Sequence, residues 1–79
     1  MNIQLIQGQF SKKDAIDLIT QMIHIKIKFH EGNINNDDNE EDIKMREKRI
    51  KQLQKDLYEA RKYIEQNGNL ININAMIEI

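Results

Sequence analysis

Lys26, His30 and Arg46 are the residues of this 79-residue chain whose types and spacing come nearest to chemistry. Lys26 and His30 are four apart, so a helix carrying them sets both on one face. If a second helix turns back antiparallel, Arg46 falls beside Lys26. A guanidinium can clamp a phosphate or carboxylate with two parallel hydrogen bonds, and an ammonium adds a point charge. The trio could therefore form an anion site between helices, for a phosphate, a nucleotide or a carboxylate, although structural ion pairs commonly produce such clusters and favour the plainer reading. The competing reading is structural. Asp42, Glu47 or a carboxylate of a second copy would neutralise the cations, or their long stems would carry the charges to water along apolar surface.

A second basic feature is Lys44, Lys48, Lys51, Lys55 and Lys62, which fall within about 60° of one another on a helical wheel. Such a stripe could track a phosphate backbone. No aromatic or arginine residues interleave it, and Glu47–Lys51 and Arg61–Glu65 have the spacing of helical ion pairs, which favours a solvated face. His24 and His30 do not share the i,i+4 spacing of a metal pair, and there is no cysteine, so no metal site is expected. Ser11 is the only serine, and Gly8, Gly32 and Gly68 are isolated, so neither a nucleophile–base arrangement nor a phosphate-cradling loop can be assembled. The chain is expected not to be an enzyme and to need no cofactor.

Composition narrows the classes further. The formal charge of −1 and pI near 6.1 give no overall basic signature for nucleic acid or an anionic membrane. Met1–Gln4 lacks a basic leader, and no apolar run approaches the ~18 residues of a membrane span. A soluble, cytoplasmic protein with no membrane partner is the expectation. Fifteen isoleucines, nine asparagines and nine lysines are residues of A/T-rich codons, which suggests a bacterial or phage source.

The elements that must position these residues read as strand–helix–helix–strand in one small domain over 1–79. Ile3 and Leu5 alternate with Asn2 and Gln4, which predicts a strand over about 2–7; Ile6 breaks the alternation and Gly8 permits a bend or bulge. Ser11 and Asp14, with Phe10 ahead of them, form a capping box, and Gly32-Asn33 is the first stop signal, giving a helix over about 12–32. Within it Ile23–His30 alternates apolar and basic residues as a strand would, but start and stop signals bracket it and nothing inside breaks a helix. A polar link centred on Asn35 and Asn36 follows. Asp38 and Glu41 suggest a second capping box, opening a helix over about 39–67 that Gly68 closes. Its seam is Ile43, Arg46, Ile50, Leu53, Leu57, Ala60 and Ile64, at alternating spacings of three and four. Ile71, Ile73, Ala75 and Ile77 then share one face of a terminal strand over about 70–78.

The apolar face of the first helix spans roughly 200°, too wide for one partner helix, whereas that of the second spans roughly 100°. A chain of this size hides only about 60% of its unfolded surface and has no disulfide to help. Oligomerisation follows as the expected source of extra burial, most simply a homodimer in a four-helix arrangement. Ile16, Leu18, Ile23, Ile25 and Ile27, with Ile73 and Ile77, are the expected interface. The function expected is that of a small non-enzymatic interaction protein, acting through self-association and a protein partner. The alternatives are a nucleic-acid-associated regulator of antitoxin-like or mobile-element type using the lysine stripe, and a protein that sequesters an anionic small molecule or nucleotide at Lys26, His30 and Arg46.

Overall fold

The computed structural model describes residues 1–34, 39–67 and 69–79. Strand β1 (Asn2–Ser11) runs straight into helix α1 (Lys12–Ile34); helix α2 (Glu40–Gln66) returns, and strand β2 (Leu70–Glu78) pairs antiparallel with β1. The result is a helical hairpin joined at one end to a two-stranded ribbon.

Strand β1 is longer than the expected 2–7 because the break at Ile6 is a bulge, not an end. The register passes from Gln4↔Met76 to Ile6↔Ala75, leaving Leu5 without an opposite residue. Ile3 and Ile6 are three apart and would lie on opposite faces of a regular strand. The extra residue sets both on the face of Ile77 and Ala75. Pairing then continues through Gly8↔Ile73 and Phe10↔Ile71 to Ser11↔Leu70. One face of the ribbon is thus apolar, with Ile6, Phe10, Ile71, Ile73 and Ala75 half-buried. The other carries Gln7, Gln9, Asn72 and Asn74, all exposed. Gly8 has φ +141°, a conformation closed to L side chains, and a Cβ there would meet nothing within 4 Å. Gly8→Ala is therefore expected to lower stability by about 1–3 kcal/mol through backbone strain alone, which a urea midpoint would measure.

Helix α1 begins where the Ser11 hydroxyl accepts the Asp14 amide at 3.2 Å. Ile23–His30 is helical throughout. The helix passes its expected end at residue 32 and runs to Ile34, since Gly32 does not take the positive φ of a helix stop. The Asn33 side-chain amide donates to the Phe29 carbonyl at 2.8 Å, within the last turn. Helix α2 is capped by Asn39, whose side chain accepts the Glu41 amide at 2.9 Å, with Glu40, Glu41 and Asp42 at the positive end of the helix dipole. At its other end the Asn67 backbone amide donates to the Tyr63 carbonyl at 3.0 Å. Asn35, Asn36, Asp38 and Gly68 lie outside the described residues.

Along α2 the residues withdrawn from solvent are Ile43, Arg46, Ile50, Leu53, Leu57, Ala60 and Ile64, and every other residue of the helix is exposed. The seam is a single stripe facing α1. Lys12 ties the two helices together at the open end of the hairpin, its ammonium donating to the Glu65 carbonyl at 3.1 Å. Even so the core is slight: among the described residues only Ala15, Ile27 and Ile64 are buried. The chain exposes 6369 Å² and has a radius of gyration of 15.0 Å, with extents of 46 × 33 × 13 Å. A compact monomer of 9.4 kDa would expose about 5,000 Å² and have a radius near 12 Å.

Candidate functional site

Two places on the hairpin have the makings of a site: a pocket around Arg46, and the outward face of α1. In the first, the Arg46 Nη1 lies 3.2 Å from His30 Nδ1, and both residues are half-buried. The guanidinium carbon stands 6.0 Å from the centroid of the Phe29 ring, and that ring meets His30 edge-on at 5.6 Å. A guanidinium has donors only, so His30 Nδ1 must accept and the proton must sit on Nε2. Nitrogen-15 NMR of the imidazole is expected to show the Nε2–H tautomer, which Arg46→Ala releases; an Nδ1–H tautomer in the parent protein would contradict this contact.

The pocket beside this pair is lined by His30, Asp42, Met45, Arg46 and Arg49. Arg49 was not anticipated; the signal that could have found it is its i,i+3 spacing from Arg46 on the same helix. Two guanidinium groups can grip an anion, while Asp42 in the same wall offers an internal counter-charge. The structure brings Arg46 and His30 together but leaves Lys26 out. Lys26 is exposed, does not line the pocket, and makes no hydrogen bond or ion pair with the described residues. Glu47 is likewise exposed and outside the pocket.

Lys44, Lys48, Lys51, Lys55 and Lys62 are all exposed on the side of α2 away from the hairpin contact. No group of three or more His, Asp or Glu suited to a metal ion occurs among the described residues. Among those residues, too, no helix is long and apolar enough to cross a membrane.

The second place is apolar. Helix α1 carries two stripes of heptad spacing about 150° apart. The inner one, Ile16, Thr20, Ile23, Ile27, His30 and Ile34, is withdrawn from solvent within the chain, with Ile27 buried. The outer one is Leu18, Met22, Ile25 and Phe29. Here Ile25 is 70% exposed and Phe29 62%, while Leu18 is half-buried beside Phe10, Asp14 and Asp17 in a small pocket where the ribbon meets the helix. Of the residues expected at an interface, Ile16, Ile23 and Ile27 thus lie toward α2, and Leu18 and Ile25 lie outward. Ile73 is half-buried on the ribbon's apolar face, and Ile77 is exposed toward its free end. Met22 and Phe29 belong to the outer stripe as well, and the 18–22–25–29 spacing was the signal for them.

Comparison with protein-family models, curated proteins and solved structures gave no match.

Proposed function

We propose that this chain is a small non-enzymatic assembly protein that associates with copies of itself and, in that form, presents a surface to a protein partner. The supporting observation is surface in excess. The 6369 Å² exposed exceeds the compact expectation by roughly 1,400 Å², while a standard interface removes about 800 Å² from each partner. The excess includes large apolar side chains at Leu5, Ile25, Phe29, Met45 and Met76, each at least half exposed. A homodimer is the simplest closed assembly that covers such a face.

Self-association makes stability depend on concentration. Sedimentation velocity from about 1 to about 100 µM is expected to show a shift from one chain to two, with a melting temperature that rises over the same range. A single chain at every concentration, with a constant melting temperature, would remove this reading.

A second reading rests on the convergence of Arg46, Arg49 and His30 on one pocket. As an anion site it predicts that inorganic phosphate or nucleotides raise the melting temperature of the parent protein and not of Arg46→Ala. Equal shifts in both proteins would assign the effect to general salt.

A further inference from the structure

We infer that the second copy docks on the outer stripe of α1, with the two α1 helices antiparallel about a two-fold axis between Met22 and Ile25. This rests on the assembly reading above and specifies its interface. In an antiparallel pair related by a two-fold, each position meets another such that their residue numbers have a constant sum. The outer stripe has that symmetry. Leu18 pairs with Phe29 of the second copy and Met22 with Ile25 of the second copy, each pairing occurring twice and both about the same centre. Such a self-complementary stripe is what a two-fold interface requires, and the 3–4 spacing is that of antiparallel helices meeting along a seam.

Two further observations agree with this register. The small pocket at Leu18, walled by Phe10, Asp14 and Asp17, lies where Phe29 of the second copy arrives. Phe29 is 62% exposed, with Arg46 and His30 on its own chain's side of the ring, so its outer edge is free to enter. Charge also matches at the rim. Lys28, exposed beside the stripe, approaches the acidic end of α1 carrying Asp14 and Asp17 in the second copy, and no like-charged pair is set face to face. Because the inner and outer stripes are about 150° apart on α1, the four helices lie side by side, α2–α1–α1–α2, in a flat layer rather than a square bundle.

A charge exchange tests this register. Ile25→Lys and Met22→Glu, each alone, are expected to weaken self-association about 100-fold or more, since each sets a charge against an apolar residue at the interface centre. The double variant places lysine opposite glutamate twice and is expected to recover to within about tenfold of the parent protein. A parallel pairing would set like charges together, so failure of the double variant to recover overturns the antiparallel register. Both positions are exposed enough that the hairpin keeps its helix signal by circular dichroism.

A second measurement does not depend on charged variants. The chain has no cysteine, so Leu18→Cys/Phe29→Cys offers two thiols that are too far apart on one helix to bridge within a chain. A short thiol cross-linker is expected to give covalent dimers of this variant and none of either single variant. If the parent protein is a single chain at all concentrations, the assembly reading falls and this one with it. If it self-associates but Ile25→Lys associates as tightly and the cysteine pair does not cross-link, assembly stands and this face is excluded.

Discussion

Ile64→Ala is expected to cost about 2–5 kcal/mol, the largest effect of any single side-chain truncation in the chain. Ile64 is 3% exposed and closes the α2 seam at the end where the ribbon joins the hairpin. The usual stability of a domain this size is about 4–12 kcal/mol, so one truncation removes a large share of it. The same change at Ile43, half-buried at the other end of the seam, is expected to cost less than half as much, because water already reaches that site. Urea unfolding followed by circular dichroism measures both. Equal midpoints for the two variants would mean that the buried end is not the mechanical centre of the fold.

Ala15→Leu is expected to cost about 1–3 kcal/mol by overpacking, and its effect should be local. Ala15 is fully covered although it lies in the first turn of α1, between exposed Asp14 and half-buried Ile16. The hairpin end is held close there by the Lys12–Glu65 contact, so three added carbons have nowhere to go without pushing the ribbon from the helices. Amide exchange is expected to quicken across Asn2–Ser11 and Leu70–Glu78 while the middle of α2 keeps its protection. Uniform loss of protection, or none, would show that ribbon and hairpin do not separate at this residue.

What could be read beforehand depended on how regular each stretch is. The α2 seam follows one period over six turns against a single neighbour, and its covered residues could be named from spacing alone. Alternation makes strand β1 too short because it counts residues one by one, and a bulge at Leu5 inserts one that pairing must skip. The end of α1 was placed early because glycine marks a helix stop only when its φ turns positive, and Gly32 stays helical. Lys26 illustrates a different limit. A wheel places it in the middle of the apolar arc, but α2 is narrow and covers only one edge of that arc, the inner stripe. Lys26 sits about 80° from the centre of that stripe, beyond the reach of its neighbour. Arg46 lies within the covered stripe, and it alone of the two was drawn into contact with His30. The wide arc on α1 was legible; its division into an inner and an outer stripe became visible only once α2 had occupied one of them.

The pairing of the first strand with the last also sets an order of events in folding. Ser11↔Leu70 is the nearest pair of the ribbon, and it closes an intervening chain of roughly 60 residues. Closing such a loop from the open chain costs about 3–4 kcal/mol in entropy, more than a two-stranded ribbon returns. Zipping the two helices first brings residues 11 and 70 together and removes most of that cost. The hairpin is thus the early structure and the ribbon the late one. On the ribosome, Asn2–Ser11 emerges ahead of α1 and α2 and has no partner until Leu70–Glu78 has been made. Throughout that interval this isoleucine-bearing segment is exposed to neighbouring chains, and pairing with Leu70–Glu78 then covers one of its two edges.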